Sequence, residues 1–265
     1  MRFARFAHAD GIAIGVVEGD LEAGQNALTV AEIEGSMFGQ FRFSGARWAV
    51  PDVRLLPPPL FTSKIVCVGR NYAEHAAELG NEVPKEPLLF LKPSTSLIGA
   101  HDTIELPPQS SRVEHEAELA VVIGGSAGVR RLSRDQARNA IFGYTVGNDV
   151  TARDLQRSDG QWTRAKGFDT FCPLGPWIDT EIDVADLEVR CEVNEEVRQL
   201  GRTKDMIFDP VSIVSYVSHM MTLLPGDVIL TGTPAGVSPI ASGDVVSVRV
   251  QGIGELINPV TARTE

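Results

Sequence analysis

The sequence predicts a β-rich chain that mixes strands with a few helices and divides in two, and three observations carry that expectation. Apolar residues fall mostly in short runs of strand length, many of them rich in valine and isoleucine. Turn residues separate these runs. The run Pro57-Pro58-Pro59 makes a stiff break, which divides the chain into a small N-terminal domain, 1–58, and a main domain, 59–265.

In the first part, Gly11 to Val17 reads as a strand followed by a Glu-Gly-Asp turn, Ala31 to Glu34 as a helical turn, and Phe38 to Phe43 as a second strand. No chemistry is visible there. The main domain opens with a buried strand, Lys64 to Val68, ended by Gly69. A short helix runs through Ala73 to Leu79, with Asn71 as a candidate N-cap and Gly80, Asn81 and Pro84 as stop signals. The polar stretch from Gly80 to Pro87 reads as a loop able to move as a lid. Leu88 to Leu91 is a strand. Ser133 to Ala140 is a helix, capped by Ser133 and favoured by Asp135 in its first turn. Ile141 to Gly147 is a strand that delivers Asn148 and Asp149 to a short helix through Thr151 to Gln156. Alternation from Leu187 to Val193 suggests an antiparallel strand. Asp209 to Met221 is the strongest helix, with Pro210 early and Val211, Val214, Val217 and Met221 along one side. Strands Val228 to Leu230 and Val245 to Val250 follow, and Gly252 to Gly254 turns the chain again.

With 265 residues and 43% apolar side chains, the chain can bury a sizeable core. A net charge of -11 argues against nucleic acid and anionic membrane surfaces as partners. An anionic substrate therefore needs local positive charge or a metal. Cys67, Cys172 and Cys191 are far apart and form no C-x-x-C pair, which fits reduced, buried thiols in a cytoplasmic protein. No apolar run is long enough to span a bilayer, and acidic residues interrupt the N-terminus too early for a signal peptide. Neither G-x-G-x-x-G after a strand, nor a P-loop, nor G-x-S-x-G occurs.

Chemistry concentrates in Val113 to Ile123. The stretch ends in an unbroken apolar run that reads as a buried strand, and alternation along it places Glu114, Glu116 and Glu118 on one face. Clustered carboxylates repel, and burying them unpaired is costly. A divalent cation with a taste for oxygen, Mg²⁺, Mn²⁺ or Ca²⁺, resolves that conflict; a solvated strand end resolves it equally well. Asp149, at a strand end, can be a metal ligand or a helix cap. His75 and Glu78 share a helix face, as a carboxylate-oriented base or as an ordinary surface pair. Lys166, between Ala165 and Gly167, reads as an exposed lysine. The small residues of Thr231 to Val237 let backbone approach a ligand, or merely make a tight turn.

Five motifs then agree in order and spacing with one family: Gly69-Arg70-Asn71-Tyr72 with Glu74-His75 following, Phe90-Leu91-Lys92-Pro93, Glu116-Ala117-Glu118-Leu119, Gly147-Asn148-Asp149-Val150-Thr151-Ala152-Arg153-Asp154, and Thr231-Gly232-Thr233-Pro234-Ala235-Gly236. From about residue 60 to 262 the chain resembles the fumarylacetoacetate hydrolase family, and its first part resembles the small N-terminal unit of the shorter members. The resemblance implies an α+β, β-rich fold with a rolled, mixed β-sheet core, and a homodimer. It selects Glu116, Glu118 and Asp149 as ligands of one divalent cation, Mg²⁺ or Mn²⁺, and leaves Glu114 outside that set. It places Lys166 beside the bound substrate and His75 and Glu78 on a closing helix as the hydrolytic pair. Arg70, Gln156 and Thr233 fall at positions that resemble substrate contacts.

What the resemblance implies for activity is cleavage of a C–C bond in a 2-oxo (β-dicarbonyl) acid through a metal-stabilised enolate, as oxaloacetate decarboxylation or acylpyruvate hydrolysis. The runner-up is the isomerase or decarboxylase of aromatic-acid degradation that acts on 2-hydroxyhepta-2,4-diene-1,7-dioate-like compounds. A metal-binding scaffold with little turnover is the alternative of another class. The family does not by itself fix the reaction.

Overall fold

A computed structural model describes residues 1–58, 63–78 and 80–263. Pro59 of the proline run and Leu79 of the expected first helix lie outside the described residues. The fold is α+β and strand-rich, built on mixed sheets. The largest sheet runs in the order Phe41–Ala49, Thr29–Gly35, Gly11–Glu18, Arg2–His8, Cys172–Asp179, Ile141–Asn148, Ala117–Ile123, Val228–Leu230, Ile65–Gly69 and Leu88–Lys92. Its neighbours along this path are antiparallel, except that Val228–Leu230 runs parallel to Ile65–Gly69. The N-terminal strands join this sheet through Arg2–His8, whose first residues pair with Ile178 and Asp179. A second sheet runs Glu196–Arg202, Glu188–Val193, Val245–Val250, Gly254–Ala262 and Ile104–Leu106.

The core lies between these sheets. Leu119, Val146 and Trp177 from the first pack in one cluster with Val189, Val246, Val248 and Leu256 from the second. Strand Ala117–Ile123 is buried at every position, which explains its unbroken apolar run. Among the described residues five α-helices decorate the sheets: α1 (Ala73–Glu78), α2 (Arg134–Ala140), α3 (Arg153–Asp159), α4 (Thr163–Lys166) and α5 (Pro210–Met220). α2 carries the expected Ser133 cap, completed by Gln136 into a capping box, and Asp209 caps α5. The three cysteines are free and buried. Among the described residues no helix is long and apolar enough to cross a membrane.

Several local expectations are corrected. Ala31 to Glu34 is not a helical turn but part of strand Thr29–Gly35, whose backbone pairs on both sides. The second N-terminal strand starts at Phe41 rather than Phe38, because residues 36–40 make the turn that reverses the chain. Gly254–Ala262 is a long strand that its turn-rich start concealed. Asn71 does not cap α1. Its amide donates to Phe208 O at 2.9 Å and Thr231 O at 2.7 Å, and its Oδ1 accepts from Phe208 N–H at 2.8 Å. It thereby ties the start of α1 to two distant segments. Gly232 (φ 100°) makes this possible, since a Cβ there would stand 2.6 Å from Asn71 Cβ. Asn71→Ala strands two carbonyls and an N–H in a buried place, so urea unfolding should read a loss of about 2–3 kcal/mol.

Candidate metal centre and active site

Two backbone links set the acidic cluster. Glu116 N–H donates to Asn148 Oδ1 at 2.9 Å, and Asp149 N–H donates to Glu116 O at 2.9 Å. The pairing of Ala117 with Asn148 continues this register into the sheet. The result brings carboxylate oxygens of Glu116, Glu118 and Asp149 within 4.8 Å of one another, all three buried. Glu114 stays outside, engaged by Arg153 Nε at 2.7 Å and Arg112 Nε at 2.6 Å.

Cations surround two of the three acids. Lys166 Nζ donates to Glu116 Oε2 at 2.8 Å and Asp149 Oδ2 at 2.7 Å. Lys92 Nζ reaches Asp149 Oδ1 at 2.6 Å, and Arg153 donates to Glu116 Oε1. Lys166 is only 2% exposed, so the reading of a surface lysine fails: its chain is drawn inward by two carboxylates, with Phe90 5.0 Å from its Nζ. Among the described residues Glu118 has no such cation. Its Oε2 accepts Gly232 N–H at 2.6 Å. Burial, then the charges of Asp149 and Glu116, push the Glu118 carboxyl well above its usual range. Burial would raise Glu116 too, but Lys166, Arg153 and His75 outweigh it and hold that carboxyl well below the usual range. Burial favours a neutral Lys166, yet Asp149 and Glu116 overcome it and strengthen its hold on the proton.

This donor set fits a hard divalent cation. All three candidate ligands offer carboxylate oxygens, and burial beside two other carboxylates makes the ionised form of Glu118 costly unless a metal balances its charge. Glu116, Glu118 and Asp149 are the residues that would hold it. As a helix cap Asp149 is excluded: α3 starts at Arg153 with Ala152 at the cap, and both Asp149 oxygens face lysines.

Above the acids lies a cavity of about 230 Å³. Arg70, His75, Gln156, Lys166 and Thr233 all line it together with the three acids. Glu78 stands behind, with Oε2 3.3 Å from His75 Nδ1 and Gly236 N–H donating to its Oε1 at 3.0 Å. Thr233 is heavily engaged: its hydroxyl donates to Ala117 O at 2.8 Å and accepts from Gln199 Nε2 at 2.7 Å. Gln156 Oε1 takes Arg153 Nη1 at 2.6 Å, which leaves its amide hydrogens for the cavity. Sequence reasoning gave no role to Lys92 and Arg153, although both stand inside matched motifs. The available signal was charge balance, since a buried acidic cluster needs buried cations. Arg157 and Trp162, also on the cavity wall, gave no such signal.

The chain matches two family models, one described as fumarylacetoacetate (FAA) hydrolase C-terminal over residues 64–261 and one as Rv2993c-like, N-terminal, over residues 1–58. It is 52% identical to a crystal structure titled 2-hydroxyhepta-2,4-diene-1,7-dioate isomerase from Mycobacterium marinum, with a TM-score of 0.92 and 100% of both chains covered. It is 43% identical over 221 residues to the mitochondrial oxaloacetate tautomerase FAHD2A of Homo sapiens, covering 79% of this chain and 70% of that one. A fumarylpyruvate hydrolase from Pseudomonas aeruginosa, solved with Mn²⁺ and pyruvate, is 33% identical with a TM-score of 0.71, covering 79% of this chain and 92% of that one.

Proposed function

The chain belongs to the fumarylacetoacetate hydrolase family, and from that premise we propose a divalent-metal-dependent enzyme that enolises 2-oxo acids bearing a second carbonyl or carboxylate β to the 2-oxo group. C–C cleavage, by decarboxylation of oxaloacetate or hydrolysis of an acylpyruvate, follows from the same charge development. The observation that carries this reading is the buried triad of Glu116, Glu118 and Asp149, bridged by Lys166 at the floor of a cavity that His75 also lines.

Glu116, Glu118 and Asp149 would hold Mg²⁺ or Mn²⁺, which when bound would supply Lewis acidity to the 2-oxo acid. Lys166 keeps its proton and stands as a fixed positive charge where the 2-oxo oxygen turns negative. His75 has Glu78 at Nδ1, which leaves Nε2 as the acceptor for a substrate or water proton. When Nε2 takes the C3 proton, the C–H pair becomes the C2=C3 bond and the carbonyl pair moves to oxygen. Returning the proton to oxygen completes a tautomerisation. In oxaloacetate the C3–C4 bond can break instead, releasing CO₂ and placing its pair in the same C2=C3 bond. With an acylpyruvate, Nε2 takes a proton from water and the hydroxide adds to the distal carbonyl; re-forming that carbonyl breaks the C–C bond, its pair becomes the C2=C3 bond of the pyruvate enolate, and return of the proton to C3 gives pyruvate and a carboxylic acid. Proton transfer without cleavage is a second reading, favoured by relatives named as a tautomerase and an isomerase.

An absorbance assay of enol decay tests it, with oxaloacetate, acetylpyruvate or a 2-hydroxyhepta-2,4-dienedioate analogue and Mg²⁺, Mn²⁺ or EDTA. Metal-dependent turnover of the first two is expected; activity on the dienedioate alone would select the isomerase. Silence on all three, with cation bound, would leave a metal-binding scaffold. His75→Ala should lower turnover at least about 100-fold while leaving the cation-induced rise in Tm intact. Turnover within a few-fold of the parent would remove His75 as the base.

A further inference from the structure

We propose that Arg157, assisted by Arg70, forms a second anion-recognition end of the cavity that selects 2-oxo diacids over 2-oxo monoacids. The inference rests on the reading of the floor as a 2-oxo acid site and adds what the other end recognises.

Arg153, Gln156 and Arg157 share one face of α3, at the i, i+3 and i+4 spacing. Arg153 is spent on Glu114, Glu116 and Gln156. Arg157 lines the same cavity, is exposed, and has no hydrogen bond or ion pair among the described residues. Arg70 is in the same position of lining the cavity without such a partner. Its backbone adopts φ 59°, a left-handed conformation uncommon for a non-glycine residue. Lys166, Lys92 and Arg153 are already taken up by the acids of the floor, so Arg70 and Arg157 bring uncompensated positive charge to the other end of the cavity. In a protein of net charge -11 this is a local reversal of sign, suited to gathering an anion of more than one charge.

Arg157 stands about one helical turn, a rise of about 6 Å, beyond Arg153, which holds Glu116 at the floor, and that offset suits a short diacid. The cavity also has an apolar patch: Trp162 packs edge-on against Phe90 at 5.1 Å and lies so close to Gly69 that a Cβ there would stand 2.9 Å from its ring. A 2-oxo carboxylate at the floor, a few methylene or carbonyl carbons along Trp162, and a carboxylate at a guanidinium fork match this order of polar, apolar and cationic surface.

Two compounds that differ only in the distal group test it: 2-oxoglutarate and 2-oxovalerate, titrated calorimetrically into full-length protein loaded with Mn²⁺. The parent should bind the diacid at least about ten-fold more tightly. In Arg157→Gln that ratio should fall below about three-fold, with 2-oxovalerate affinity unchanged within two-fold, and Arg157→Lys should restore part of it. Arg70→Gln should lower the ratio by a smaller factor. Equal binding of both acids to the parent, or an unchanged ratio in the double variant of Arg70 and Arg157, would overturn the proposal while leaving the 2-oxo acid site standing. Failure of both acids to bind the Mn²⁺-loaded parent would overturn the proposal together with the reading of the floor.

Discussion

Glu118→Gln is expected to abolish cation binding and turnover while raising the stability of the cation-free protein. Glu116 and Asp149 each have two buried cationic partners, whereas Glu118 has a single backbone N–H from Gly232. An ionised Glu118 therefore faces two other carboxylates in a buried place without compensation, and that repulsion opposes folding. Glutamine has the same shape and still accepts from Gly232 N–H. Removing the charge should stabilise the cation-free fold by about 1–2 kcal/mol, a rise in Tm of a few degrees for a chain of this size. The same change removes the ligand whose charge has no other use. The stabilisation by saturating Mn²⁺, about 3 kcal/mol at a hundred-fold excess over Kd and read as a rise in Tm, should vanish, and turnover should fall at least about 1000-fold. Glu116→Gln should share the loss of cation and activity but destabilise the cation-free protein, because Lys166 and Arg153 lose their partner. Differential scanning calorimetry with and without Mn²⁺ reads all of this. A Glu118→Gln protein that keeps the Mn²⁺-induced shift would remove Glu118 from the ligand set.

Lys166→Met should separate chemistry from metal binding. Its ammonium bridges Glu116 and Asp149, and in the proposed reaction it is the positive charge that meets the 2-oxo oxygen. Without it kcat should drop about 100- to 1000-fold, the size of effect seen when one fixed electrostatic donor is removed. The cation-free protein should lose about 3–5 kcal/mol, because two buried carboxylates keep their charge and lose a shared counter-ion. A divalent cation then takes over that role, so Mn²⁺ affinity should rise as activity falls. Calorimetric titration with Mn²⁺ and initial-rate kinetics test the two halves separately. Unchanged kcat would reduce Lys166 to a structural counter-ion.

The sequence by itself determined which segments are strands wherever burial on both faces leaves an apolar run, as in Ala117–Ile123, Val228–Leu230 and Ile65–Gly69. It determined the cap of α2, because capping is local chemistry between residues three apart. Motif order singled out Glu116, Glu118 and Asp149, and alternation alone could not have separated Glu114 from them. Tertiary structure decided what sequence distance hides. Ala31 to Glu34 is strand because a neighbour pairs with it on either side, a condition no local propensity encodes. Asn71 is a long-range tie rather than a cap, since its partners lie more than a hundred residues away. Lys166 is buried rather than exposed, and Lys92 and Arg153 are drawn to the acids, because charges far apart in the chain are neutralised only where the fold superimposes them. Among the described residues Glu118 is left without a directly paired cation by the same packing, and a divalent cation would correct that imbalance.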